Sequence, residues 1–314
     1  MAESLQNSAS SHPLRVLFVS TYVPRECGIA TYTEDVLHAV EGHGVSCEVI
    51  AMERPGESLA YEPRVLQTIH EDNANEYLQT AESINYGWFD VISLQHEFGI
   101  YGGEESTHLL EFLDKVELPV VTTFHTILRS PSERIKFLQH EIAERSARIV
   151  VMNGFAPDIL HDIYNIDRKK IHIIHHGSPV PPFPRFPSVK SQLGLADHKV
   201  LSTFGLISPA KGLEYSIRSM PRILEVCPDA VYYILGQTHP VVRETDGESY
   251  RGELENLAYN LGILDHVRFV DRYLTKDELM KFLLATDVYV TPYLDLDQVT
   301  SGTLAYAIGM GCPV

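Results

Sequence analysis

The segment LRVLFVSTYVPRECGIATYTEDVLHAVE, residues 14–41, decides how the rest of the chain is read. Its first seven residues are an almost unbroken apolar run, the pattern of a parallel strand buried on both faces. A loop over residues 21–27 leads into a helix over residues 28–41, so the segment is the first half of a βα unit. The same alternation continues, with strands expected at 45–51, 89–94, 119–124, 148–152 and 170–174. Helices are expected at 76–85, 104–116, 132–144 and 157–164, the second placing Leu109, Leu110 and Leu113 on one face. Repeated βα units imply a doubly wound parallel sheet with right-handed crossovers.

At residues 179–187, PVPPFPRFP, five prolines rule out a helix or central strand, and the segment reads as a stiff interdomain linker. The alternation then resumes with strands at 199–204, 230–235, 266–270 and 287–291 and helices at 211–226 and 252–261. Thr275 and Glu278 form a capping box for a further helix running to Ala285. The last stretch, QVTSGTLAYAIGMGCPV over residues 298–314, reads as a loop, a helix capped by Thr300 or Ser301, and the start of a buried strand at Cys312. The expected division is a tail (1–13), a first α/β domain (14–178), the linker (179–187) and a second α/β domain (188–314). The second domain is expected to be incomplete, its open sheet edge and apolar flank exposed or covered by a neighbouring chain.

Composition narrows the function. The 314 residues are 44% hydrophobic, enough for about two globular domains. A formal charge of -17 argues against a nucleic-acid or anionic-membrane surface. No apolar run is long enough to span a bilayer, so no integral membrane segment is expected. Residues 1–13 lack the basic and apolar regions of a signal peptide. Cys27, Cys47, Cys227 and Cys312 stand far apart without a CxxC pair and read as reduced thiols, which suits a cytoplasmic protein. His172, His175 and His176 lie close together, but no cysteine or carboxylate completes a zinc ligand set at recognisable spacing, so no metal site is expected.

Ligands of doubly wound sheets bind beyond the strand C-termini, which for two facing sheets means the cleft between domains. Two polar turns stand at such positions. Ser301-Gly302-Thr303 enters a helix, whose free N–H groups and dipole favour an anion such as a diphosphate. The second is the turn from Gly205 through Lys211 to Gly212, and the two are expected to face one pocket. At the end of the first strand, Gly28 starts a helix where a Cβ would hinder a ligand; an ordinary tight turn is the alternative. His96 and Glu97 follow a strand directly and are expected to line the cleft. His125 closes another buried strand, as a ligand-contacting imidazole or as a structural histidine satisfied by its neighbours.

These stretches carry a resemblance. Residues 18–24 with Gly28-Ile-Ala-Thr-Tyr32, Thr122-Thr-Phe-His125-Thr126, His175-His-Gly177, the segment from Phe204 to Gly212, Gly236, and residues 304–314 occur in the order and setting of the GT-B-fold retaining glycosyltransferases of family 4. The chain resembles that family over nearly everything after Pro13. The resemblance implies two Rossmann-like domains and transfer of a hexosyl group, of mannose or glucose type, from a GDP- or UDP-sugar to a carbohydrate or other hydroxyl acceptor. It implies retention of configuration, and no metal or cofactor beyond the nucleotide-sugar co-substrate. It places Gly28, Gly205, Lys211, Gly236, Gln298, Ser301, Gly302, Thr303 and Tyr306 at the donor, with His125 beside the donor sugar, Lys211 stabilising the leaving diphosphate, and His96 and Glu97 on the acceptor side.

The departures are specific. The family has an arginine where Leu206 stands, and glutamates where Gln298 and Tyr306 stand. Gln298 can still hydrogen-bond sugar hydroxyls and Tyr306 can stack or donate a hydrogen bond, with Asp295 and Asp297 close by as compensating carboxylates. The alternative function is a glycosyltransferase-like protein that binds nucleotide or sugar without turnover. An NAD-type oxidoreductase ranks last, because residues 21–28 hold one glycine instead of G-x-G-x-x-G.

Overall fold

The computed structural model describes residues 13–180, 187–294 and 300–314. The expected tail up to residue 12, residues 181–186 of the proline-rich segment, and Asp295, Asp297 and Gln298 lie outside the described residues. The chain divides into two compact units, one ending at His175 and the other beginning at His176.

The first unit runs β1 (Arg15–Ser20), α1 (Gly28–Glu41), β2 (Ser46–Glu53), β3 (Val65–His70), α2 (Ala74–Asn85), β4 (Val91–His96), α3 (His108–Lys115), β5 (Val120–Phe124), α4 (Glu133–Arg145), β6 (Arg148–Val151), α5 (Ala156–Asp162) and β7 (Ile171–Ile173). Its seven strands are parallel in the order β3-β2-β1-β4-β5-β6-β7. Strand order therefore reverses between β1 and β4, and the loops leaving these two strands flank the switch point where such sheets take ligands. The apolar run in β1 is explained by burial on both faces, since Leu17, Phe18 and Val19 are all buried. Val16 and Phe18 pack with Leu37 of α1 and Val49 of β2.

The sequence reading passed over β3. It is an edge strand with Leu66 half-exposed and only Ile69 buried, so it carries little of the apolar pattern that marks its neighbours. The helix expected at 104–116 starts later, at His108, because Ser106 adopts φ +80° after a short 3₁₀ turn over Glu104–Ser106.

The second unit contains α6 (Pro187–Gln192), β8 (Lys199–Phe204), α7 (Leu213–Val226), β9 (Ala230–Leu235), α8 (Pro240–Asp246), α9 (Ser249–Asn260), β10 (Val267–Val270), α10 (Lys276–Ala285), β11 (Val288–Tyr289) and α11 (Gly302–Gly309). Four parallel strands pair in the order β10-β9-β8-β11, with the switch point between β8 and β11. One face of this sheet buries Val200 and Val231 against Leu283, Leu284 and Tyr306. The other buries Tyr232 and Ile234 against Leu213, Ile217 and Leu254.

Helix starts follow their sequence signals. The Thr275 hydroxyl accepts from Glu278 N at 3.3 Å while the Glu278 carboxylate accepts from Thr275 N at 3.0 Å, the expected capping box. Helix α7 begins two residues later than expected, because Gly212 is left-handed at φ +59° and ends the preceding turn. Helix α8 was not expected; it is a short helix with no buried residue and so no apolar stripe to betray it. Strand β11 is shorter than expected, although Val290 N still bonds Ser202 O at 2.8 Å and Tyr289 N bonds Pro313 O at 2.7 Å.

Candidate functional site

In the second unit the C-terminal ends of β8 and β9 are drawn together. Gly205 N donates to Leu235 O at 2.9 Å and Ile207 N to Gln237 O at 2.8 Å, so the parallel pairing continues past the strands. Both glycines have positive φ, +125° at Gly205 and +136° at Gly236, and a Cβ on Gly236 would collide with Gly205 O. Only glycine allows this approach.

The two polar turns converge here. A Cβ on Gly205 would lie 3.3 Å from Thr303 Cγ2 and 3.4 Å from Lys211 Nζ, so Gly205, Lys211 and Thr303 form one cluster. Lys211 Nζ stands 4.1 Å from the centre of the Tyr293 ring, a cation–π contact. The Tyr293 hydroxyl is 2.8 Å from that of Thr303, which is 3.1 Å from that of Ser301. Ser301 is the N-cap of α11 and its Oγ accepts from Leu304 N at 3.3 Å. The Gly302 and Thr303 N–H groups head the helix and have no intrahelical acceptor. Among the described residues no carboxylate pairs with Lys211. A half-buried ammonium, two hydroxyls and a helix N-terminus offer an anion positive charge and hydrogen-bond donors in one place.

The second unit also corrects one assignment. Tyr306 does not present its ring for stacking on a ligand: it is buried in the core at 6% exposure, against Phe204 with ring centres 6.1 Å apart. Tyr306 packs one helical turn beyond Gly302, on the face of α11 that covers the sheet. A Cβ on Gly302 would lie 3.0 Å from His176 Nε2, a tight contact with the end of a half-exposed side chain.

In the first unit the candidate residues gather at the ends of β4 and β5. His125 N donates to His96 O at 3.0 Å, and His125 Nε2 lies 3.1 Å from Gln95 Oε1. The His125 ring meets Tyr32 of α1 edge-on at 4.6 Å. Glu97 accepts from the Thr126 hydroxyl and from Phe98 N, each at 2.8 Å. Burial pushes the Glu97 carboxyl up, and these two donors pull against it. Gly28 stands at the start of α1 with open space where its Cβ would be, so the chain's own packing does not require glycine there.

His96 differs from expectation. It lines no open surface but is fully buried, boxed by Phe98, Tyr101 and Phe124 with ring centres 5.1–6.2 Å away. Neither ring nitrogen has a hydrogen-bond partner among the described residues. Burial drives its pKa down to about 3, so the ring is neutral at pH 7. The reason lies in the sheet: His96 is still paired with Phe124 in the β4–β5 ladder, one residue short of the loop.

Comparison with known proteins adds the family. The Glycosyltransferase Family 4 model matches residues 27–179, and the Glycosyl transferases group 1 model matches residues 187–298. The chain belongs to the family 4 glycosyltransferases of GT-B fold. It is 25% identical over 215 residues to a D-inositol 3-phosphate glycosyltransferase of Jonesia denitrificans, covering 62% of this chain and 48% of that protein. An uncharacterized glycosyltransferase of Methanocaldococcus jannaschii is 24% identical over 219 residues, covering 65% of this chain and 52% of that protein. The chain thus spans about half the length of these curated relatives. Among solved structures, Anabaena Alr3699/HepE in complex with UDP-glucose has a TM-score of 0.69 at 15% identity, covering 96% of this chain and 79% of that one. WaaG, a glycosyltransferase involved in lipopolysaccharide biosynthesis, has a TM-score of 0.64 at 14% identity, covering 96% and 80%. These structures share the fold.

In this family 4 chain, Gly205, Gly236, Lys211, Ser301, Gly302 and Thr303 come together in one unit, and His125 and Glu97 in the other. The histidine group splits: His175 Nδ1 is 3.2 Å from Met152 O, and His176 Nδ1 is 2.6 Å from Gly177 O. Among the described residues no three His, Cys, Asp or Glu side chains gather as a metal site. No described helix is long and apolar enough to cross a membrane. Sequence reasoning missed Tyr293, Gln95 and Thr126 as partners of the candidates. Tyr293 carried no signal, since a lone aromatic after a short strand is ordinary. Thr126 was within a motif and Gln95 adjoined His96, but their contacts to Glu97 and His125 depend on β4–β5 pairing.

Proposed function

We propose that this protein transfers a hexosyl group from a nucleotide-sugar to a hydroxyl acceptor with retention of configuration. The convergence of Lys211, Gly205 and Thr303 at the N-terminus of α11 carries the reading, because it offers a diphosphate an ammonium, hydroxyls and backbone donors at one switch point. UDP-glucose in complex with Anabaena Alr3699/HepE favours a UDP-sugar over a GDP-sugar as first candidate donor.

In the proposed reaction the acceptor hydroxyl attacks the anomeric carbon on the face from which the diphosphate leaves. The bond from that carbon to the phosphate oxygen breaks, the bond to the acceptor oxygen forms, and the acceptor proton passes to the departing phosphate oxygen. No protein nucleophile is needed, and no metal enters the scheme. Lys211 stabilises charge on the leaving diphosphate, with the Gly302 and Thr303 N–H groups beside it. His125, fixed by Gln95 and Tyr32, holds the sugar, and Glu97 receives acceptor hydroxyls.

Binding without turnover is the second reading. It is favoured by Tyr306, which stands where the family has a glutamate and is turned into the core. One experiment separates the two: UDP-, GDP- and ADP-sugars are incubated with the protein, and binding by calorimetry is compared with release of nucleoside diphosphate. Turnover with an anomer matching the donor by NMR supports transfer with retention. An inverted product rejects retention, and tight binding with no release selects the second reading.

A further inference from the structure

Arg251, on α9, is 5% exposed and lies behind the donor turn. A cation this buried needs a reason, since an apolar side chain of similar size usually serves a core at least as well. Its contacts supply one. Arg251 Nη2 donates to the Gly236 carbonyl at 3.2 Å and to Asp271 Oδ1 at 2.6 Å, while Nε donates to Glu248 Oε2 at 3.2 Å. Nη1 is buried without a partner among the described residues, so the arrangement is kept despite an unmet donor. Glu248 also accepts from the Thr238 hydroxyl, a second tie to the segment that follows β9.

The chain of contact runs onward. Gly236 abuts Gly205 so closely that a Cβ on Gly236 would collide with Gly205 O, and Gly205 in turn lies beside Lys211 Nζ and Thr303. Moving the Gly236 peptide therefore moves the floor on which the lysine rests. Tethering by a fixed guanidinium fork suits this task better than a flexible ammonium does.

We infer that Arg251 is a positioning residue for the anion site, holding the Gly236 carbonyl so that Gly205, Lys211 and Thr303 keep their geometry. The inference rests on the donor-diphosphate reading given above. It assigns Arg251 no contact with the ligand.

UDP and GDP binding to the whole chain is measured by calorimetry well below each variant's unfolding midpoint, alongside thermal unfolding. Arg251→Met is expected to weaken diphosphate binding about tenfold or more, the scale of a lost hydrogen bond from a charged group. Asp271→Asn keeps the bond to Gly236 and is expected to stay within about threefold of wild type, even where its midpoint falls. Arg251→Lys cannot span Gly236 and Asp271 together and is expected to behave like Arg251→Met; it serves as the test if the methionine variant does not fold. Wild-type affinity in a folded Arg251 variant overturns the inference, as does an equal loss in Asp271→Asn, which would place the effect in the charge pair. Lys211→Ala separates this from the parent reading. If wild type binds neither nucleotide, or Lys211→Ala binds like wild type, the donor site itself is misplaced and the inference goes with it.

Discussion

Replacing Lys211 by alanine tests the donor site most directly. The lysine is half-buried over Tyr293, and among the described residues it has no carboxylate to lose, so its truncation strands no buried partner. What disappears is a charged donor facing the proposed diphosphate and a cation–π contact of about 0.5–1 kcal/mol in the free protein. Loss of a hydrogen bond to a charged group costs about 1.5–3 kcal/mol of binding. At 1.4 kcal/mol per tenfold this raises Kd by roughly 10- to 150-fold. Titration calorimetry of UDP and GDP into wild type and Lys211→Ala at one ionic strength reads it, with thermal unfolding run in parallel. The stability change should be small, because no core contact is removed. Equal affinities would refute the reasoning and move the phosphate site away from this turn. A large loss of stability would show that the lysine holds the turn and does not serve the ligand.

His125→Ala is expected to lower turnover by about 10²- to 10⁴-fold with nucleotide affinity nearly unchanged, the range for one positioned catalytic group; full activity would make the residue structural. Gly236→Ala forces a side chain into Gly205 O at φ +136° and should cost about 1–3 kcal/mol in urea unfolding, together with diphosphate affinity; a neutral result would contradict the close approach. His96→Phe replaces a ring with two unpartnered nitrogens by an apolar one, and should be neutral or stabilising at pH 8. Its pH profile has a definite sign. The folded protein holds His96 at about 3 against an ordinary 6.5, so the unfolded chain takes up the proton first as pH falls. The contribution to stability is complete above pH 6.5 and is lost progressively from 6.5 down toward 3, a loss that His96→Phe should remove from the urea-unfolding curve measured across that window.

The strands were legible because burial on both faces leaves an uninterrupted apolar run, as in Leu17, Phe18 and Val19. The same rule misplaced the site end of β4. Gln95 and His96 are polar and stand past the expected strand end at residue 94, yet they remain in the ladder opposite Thr123 and Phe124. Gln95 does two jobs there, its backbone held in the ladder while its side chain meets His125. Sequence pattern reports only the side chain. The meeting of Gly205, Lys211 and Thr303 was legible as two turns of one kind, but their distance depends on β8 and β11 being neighbours, which their positions 84 or more residues apart do not reveal. Tyr306 shows the limit most clearly: tyrosine suits a ligand face and a core equally, and only packing against Phe204 decides.

Charge gives the arrangement a further logic. The chain carries 42 acidic against 25 basic residues, so a nucleoside diphosphate approaches a protein of its own sign. Attraction must then come from the site itself, within about a Debye length. Two deeply buried arginines cannot supply it: Arg25 lies 3.8–3.9 Å from Glu57 and Glu71, and Arg251 is held by Asp271 and Glu248. Their carboxylate neighbours cancel the charge that a ligand would feel. Lys211 is placed differently: it rests against an aromatic face, and among the described residues no carboxylate pairs with it. With Leu206 standing where the family has an arginine, the proposed anion site draws, among the described residues, on the Lys211 ammonium and the backbone donors of α11. That dependence is why the lysine, and the glycines that set its position, should dominate diphosphate affinity here.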